Sequence, residues 1–241
     1  MKIQTSQPAY KIQFCANPIK TAKAAINRVK NFGDSQSPFD NAFKIYDDLW
    51  EELALPKELK LDTKLRDYDE VPMAFEIGNT CIGINKNISN FKMYLMNRLG
   101  ITKALFRHEI EHVNEWWLII RQHKTENFVK KCSENNIEIV GDINRFTEYF
   151  KKVENILGGI KPEEKVTAEK YTNAAFNYIL IPNNPNPSET FNMIIMLIKR
   201  RNNILERDAN KAQKEYMPTK IEFIKAILKE TWNILRNKKS N

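Results

Sequence analysis

Residues 104–120 read Ala104-Leu105-Phe106-Arg107-His108-Glu109-Ile110-Glu111-His112-Val113-Asn114-Glu115-Trp116-Trp117-Leu118-Ile119-Ile120. The apolar positions recur at helical spacing, so this stretch predicts a helix, running from a Thr102 cap to about His123. His108 and His112 are four residues apart and share one helix face. Two imidazoles so placed can reach one tetrahedral Zn²⁺ at about 2.0–2.1 Å. Glu109 follows the first histidine, as in the H-E-x-x-H pattern, where that glutamate is the general base acting on a metal-activated water. The chain has only three histidines. Random placement at this composition would give the pattern in roughly three chains per thousand. Two plain helix histidines are the competing explanation, but the apolar flanks, from Ala104 and Leu105 to Trp116, Trp117 and Ile120, suit a helix buried beside a cleft.

A catalytic zinc needs a third protein ligand and one open position. The His-x-x-Gly-x-x-His continuation fails, because Glu115 and Leu118 stand at its next two positions, and His123 lies too far along the helix. A later carboxylate is therefore required, from Asp142, Glu148, Glu154, Glu163, Glu164 or Glu169. Glu169 is preferred: it falls in the first turn of a predicted helix capped by Thr167, and Ala174 and Ala175 would let that helix approach closely. Asn173, one turn on, could orient a ligand histidine. Glu148 is the runner-up. Tyr171, Tyr178, His123 and Arg107 are candidates for the donor that a developing oxyanion needs.

Ahead of the metal helix the period changes. Met73, Phe75 and Ile77 alternate, then Cys81, Ile82 and Ile84 follow Gly78-Asn79, which predicts a β-hairpin. Before it, Phe43, Tyr46, Leu49 and Leu53 mark a helix with Asp40 as its cap. Tyr94, Leu95 and Leu99 mark another that ends at Gly100. Beyond the metal helix, residues 124–165 are charged and weakly periodic, with one helix over Ile143–Leu157 stopped by Gly158-Gly159. Asn183-Asn184-Pro185-Asn186-Pro187 breaks the chain. Helices are expected over Ser188–Lys214 and Thr219–Asn237, the latter with a stripe of Ile221, Ile224, Leu228, Trp232 and Leu235. Residues 1–20 predict a flexible segment, and 21–31 a short helix.

The chain has 241 residues and a net charge of +8. Residues 199–241 carry 12 Lys/Arg against 5 Asp/Glu, while 1–198 carry 26 against 25. The basic tail could bind nucleic acid or another anionic partner, although lysines coating a wet helix face would read the same way. No apolar run reaches the roughly 18–20 residues of a membrane span. Three scattered cysteines without a Cys-x-x-Cys pair exclude a disulfide scaffold and a cysteine zinc finger, and an intracellular, cytoplasmic setting is expected.

The order hairpin, H-E-x-x-H helix, then a helix with Glu-x-x-Ala running to a Leu-Leu-x-Pro-like end resembles the zincin metallopeptidases. Within their glutamate-ligand branch the resemblance is to ImmA/IrrE-type intracellular metallopeptidases. The third piece is taken as Glu169-Lys170-Tyr171-Thr172 leading to Ile181-Pro182, with Thr172 where the family has Ala, and the resemblance covers about residues 40–182. It implies an α+β, zincin-like, mostly helical fold with a small β-sheet beside the metal helix, divided as 1–20, 21–182 with an insertion at 124–165, and 183–241. It also implies Zn²⁺ held by His108, His112 and Glu169, hydrolysis of peptide bonds in an intracellular protein, and a strand (Met73–Ile77 or Thr80–Ile84) that offers its edge to an extended peptide. The alternative is a catalytically silent zinc-binding relative whose basic C-terminal helices hold nucleic acid or a protein partner. A ferritin-like di-iron site lacks its second Glu-x-x-His. A Cys81 nucleophile is disfavoured by its place in a strand.

Overall fold

The computed structural model describes residues 37–69, 71–179 and 203–236. The expected flexible segment, the helix at 21–31, the break at 183–187 and the Tyr178 side chain lie outside what is described. Ser37, not Asp40, caps the first helix, α1 (Pro38–Glu52). The Ser37 hydroxyl accepts from Phe39 N at 3.2 Å, and Asp40 accepts from the Ser37 amide at 3.2 Å, so the two form a reciprocal cap. Ala42, Tyr46, Leu49 and Trp50 are its buried stripe.

Three strands follow: β1 (Asp62–Arg66), β2 (Met73–Glu76) and β3 (Cys81–Asn85). The predicted hairpin is β2–β3, antiparallel, with Phe75 opposite Ile82. Its turn closes through Asn79 N to Glu76 O and Thr80 N to Ile77 O, both at 3.2 Å. The sequence reading misses β1, which runs parallel to β3 and makes the order β1-β3-β2. β3 is thus the central strand, buried along its whole length, and its apolar run fits that place. Beyond β2, Gly78 bridges Gly141. A Cβ on Gly78 would collide with the Val140 carbonyl oxygen, so only glycine lets the two backbones meet.

The helices α2 (Asn90–Arg98) and α3 (Ile101–His123) are joined through Leu99 and Gly100, the glycine at φ +75°. Thr102 does not cap α3 as expected. Its hydroxyl donates to Asn97 Oδ1 at 2.7 Å, and Gly100 occupies the cap position. α3 is buried on nearly every side, as the central helix of a layered domain must be. Tyr46 meets Phe106 and Trp50 meets Trp117 on one flank. On another, α4 (Thr125–Glu134) and α5 (Ile143–Leu157) bring Phe128, Phe146 and Phe150 to Trp116 and to one another. These aromatics belong to the same core as the sheet, so residues 124–157 are built into it. Arg121 ties the end of α5 down by donating to the Gly158 and Gly159 carbonyls and to Glu164.

Two further helices pack on α3. The first, α6 (Lys165–Ile179), begins ahead of the predicted Thr167 cap. The second, α7 (Ile204–Tyr216), starts at Asn203, whose side chain accepts from Leu205 N at 3.0 Å. The first part of the helix expected over Ser188–Lys214 lies outside the described residues, and its predicted end at Lys214 falls within α7. Ala209 and Ala212 on α7 are buried against α3, and their small side chains allow a close crossing. The last described helix is α8 (Lys220–Arg236), opened by a reciprocal Thr219–Glu222 cap. The chain is therefore mostly helical with a small three-stranded sheet, consistent with the α+β expectation.

Candidate metal centre

α3 presents His108 and His112 on one face, as their spacing requires, with ring centroids 4.8 Å apart and planes nearly perpendicular. Both are buried. The carboxylate that meets them comes from α7 and is Glu206. Its Oε2 lies 3.7 Å from His108 Nε2, and its Oε1 lies 3.7 Å from His112 Nε2. These separations are too long for hydrogen bonds. They suit an ion between the groups: donors about 2.0–2.2 Å from a tetrahedral centre sit roughly 3.4 Å from one another. All three ligand atoms fall within 4.8 Å of one another. Both ring nitrogens of His108, and His112 Nε2, are fully buried without a hydrogen bond of good geometry, although the Ala209 backbone and the Gln213 side chain on α7 come close enough to act on His108. Buried polar atoms are normally paired, so this orphaned set is what a metal ion would complete. Two imidazoles and a carboxylate are a zinc-type donor set with one position left open.

Glu115, nearly one turn past His112, meets His112 Nδ1 at 2.8 Å and is itself buried. With Nδ1–H donating to this carboxylate, the tautomer is fixed and Nε2 is left toward Glu206 as the nitrogen that would hold an ion. The negative charges of Glu115 and Glu206 push His112 up to about 10, against the effect of burial. His108, which has no such partner, is pulled well below its usual value by burial and by His112. Burial works upward on Glu115 too, while the charge and hydrogen bond of His112 favour its carboxylate. An ion must therefore displace a proton from His112 below about pH 10. The expected result is a Zn²⁺ affinity that rises with pH across about 7–9, by up to about tenfold per unit. Glu115→Gln should flatten that slope and cost about 10–100-fold in affinity at its upper end. Competition titrations at several pH values check this, and a pH-independent wild-type affinity would remove the proton from the account.

Glu109 is buried, and its Oε2 accepts from the Phe75 backbone amide on β2 at 2.7 Å. Burial raises its carboxyl to about 7, with the His112 charge and the Phe75 amide pulling the other way. A carboxylate in that range suits proton transfer near neutral pH.

Several expected residues are elsewhere. Glu169 and Asn173 are exposed, on the solvent face of α6, whose buried face is Ala168, Tyr171, Thr172 and Ala175. The structure thus brings Glu206, and not Glu169, beside the histidines. Glu148, the runner-up, is also exposed, as is Glu163. Asp142 caps α5, Glu154 accepts from Thr125, and Glu164 pairs with Arg121. Tyr171 donates to Asp208 Oδ2 at 3.0 Å, Arg107 is paired with Glu111, and His123 faces Thr172 and Lys131. The sequence does carry a signal for Glu206: Glu206-Arg207-Asp208-Ala209 has the Glu-x-x-Ala spacing, with Ala in place, followed by Met217-Pro218. It is hidden inside a segment whose most visible property is its positive charge. Glu115 stands out in the sequence only as a departure from another ligand pattern.

Comparison of the chain with protein-family models, with curated proteins and with solved structures gave no match. The chemistry of the site is therefore read from its own residues.

Proposed function

We propose that this chain is a zinc-dependent metallopeptidase of zincin type that hydrolyses peptide bonds of an intracellular protein. The observation that carries the reading is the buried His108–His112–Glu206 group with Glu109 beside it on the same helix as the histidines. Zn²⁺ bound there would act as a Lewis acid on a peptide carbonyl and make water acidic enough to attack near neutral pH. Glu109 then takes the proton of the attacking water and returns it to the leaving amine. His112 is held in register by Glu115, and the Phe75 amide holds Glu109 against the outer strand.

Of the two strands expected to offer an edge, β3 has neighbours on both sides, which leaves β2. An extended peptide lying along Met73–Glu76 would pass the residue that anchors Glu109. β2, His108 and His112 are buried in this conformation and Glu206 is mostly covered, so substrate entry requires a more open one. That burial also favours a second reading, a catalytically silent metal-binding protein in which the ion only joins α3 to α7.

The test is elemental analysis of protein purified without added metal, beside a cleavage assay on a mixture of unstructured peptides. The expected result is about one zinc per chain, with cleavage lost on chelation and restored by Zn²⁺. No zinc even after reconstitution would overturn the metal centre. One zinc without cleavage of any peptide would leave the silent reading in place.

A further inference from the structure

α8 is amphipathic, and its apolar side faces solvent. Ile221, Ile224, Leu228 and Trp232, spaced at three and four residues, lie on one stripe and are 56–66% exposed. A stripe of this size on a folded surface calls for an occupant. Among the described elements, none packs substantially against α8. Lys225 and Lys229 project beside the Trp232 edge of the stripe and are exposed. Lys220 and Arg236 are also α8 residues and add to its positive charge, against Glu222 and Glu230.

We infer that α8 is a surface-docking helix that lies in the interface of an anionic lipid bilayer, with Ile221, Ile224, Leu228 and Trp232 in the acyl boundary and Lys225 and Lys229 on the headgroups. The combination of features discriminates among occupants. Nucleic acid would be held through the lysines and would leave four large apolar side chains wet. A second copy packed antiparallel on this stripe would set the Lys225–Lys229 edge against its own duplicate, which is repulsive. A negatively charged bilayer satisfies both sides at once, because it buries the apolar stripe and attracts the basic border. No described helix is long and apolar enough to cross a membrane, so α8 lies on the surface. This inference stands apart from the metal centre.

The chain carries its own reporter. Trp50, Trp116 and Trp117 are buried, and Trp232 is the exposed tryptophan. Iodide quenching of the full-length protein therefore reads chiefly Trp232. On adding phosphatidylcholine vesicles containing phosphatidylglycerol, the expected result is a blue-shifted emission, loss of quenching, and co-sedimentation that salt weakens. Neutral phosphatidylcholine vesicles should bind at least about tenfold less. Ile224→Glu with Leu228→Glu should abolish binding, and Lys225→Glu with Lys229→Glu should abolish the preference for anionic vesicles. All four positions are exposed, so unchanged circular dichroism and thermal midpoint would show that the variants fold. Equal binding to neutral and anionic vesicles would overturn the proposal. So would absence of vesicle binding, whether accompanied by a doubled mass in light scattering (a second copy), by Trp232 already shielded in the free monomer (another segment of the chain), or by binding to a DNA duplex instead.

Discussion

Glu206→Ala should lower the affinity for Zn²⁺ by a factor on the order of a thousand, whereas Glu169→Ala and Glu148→Ala should leave it unchanged. Structural zinc sites supply about 10–16 kcal/mol; shared among three protein donors this is roughly 3–5 kcal/mol each, and about 4 kcal/mol corresponds to a thousandfold. Glu206 contributes an oxygen toward each histidine at 3.7 Å, and it is the carboxylate that α7 places opposite them. Glu169 and Glu148 are solvated on the outer faces of α6 and α5. Competition with a chromophoric chelator measures all three. Loss of affinity in Glu169→Ala equal to that in Glu206→Ala would remove the assigned ligand set.

The second large effect is expected at Glu109. Glu109→Gln should keep one zinc per chain and reduce peptide cleavage by about 10²–10⁴-fold, the range associated with loss of a positioned base. The substitution preserves an oxygen that can accept from the Phe75 amide, so the helix and strand stay joined. It removes the group that takes a proton. Burial raises the Glu109 carboxyl of the metal-free chain to about 7 and a bound cation would draw it lower, so the wild-type rate should climb with pH on a limb at or below 7 as the carboxylate forms. The variant should lack that limb of the profile. Full cleavage by Glu109→Gln, with zinc bound, would exclude Glu109 as the base.

What is legible in the sequence is local. Spacing alone identifies α3, the pairing of His108 with His112, the β2–β3 hairpin and the span of α5, because each is written in a period of about 3.6 or 2 over a few residues. β1 escapes notice because Asp62-Thr63-Lys64-Leu65-Arg66 is polar and half-wet, with little apolar alternation to mark it. α4 escapes because it fastens itself with little more than Phe128 and Cys132. The third ligand is a different matter. Glu169 and Glu206 both stand on helices near alanines, and local pattern does not say which helix face turns toward α3. Ala209 and Ala212 on α7 make that contact, and α6 turns its glutamate outward. The choice is tertiary, and the clue that separates the two candidates is the Ala at the fourth position of the Glu206 motif, where the Glu169 motif has Thr172.

The three groups of the metal centre enter the world at different times. His108 and His112 lie mid-chain, while Glu206 is 94 residues beyond His112. At roughly 5–20 residues per second, a ribosome emits α7 some five to twenty seconds after the histidines. Until then the nascent chain holds two of the three candidate ligands, whatever ion the cell offers. If the group binds an ion, closure of the site waits on that interval, and a message truncated between codons 124 and 206 encodes α3 without the third candidate ligand.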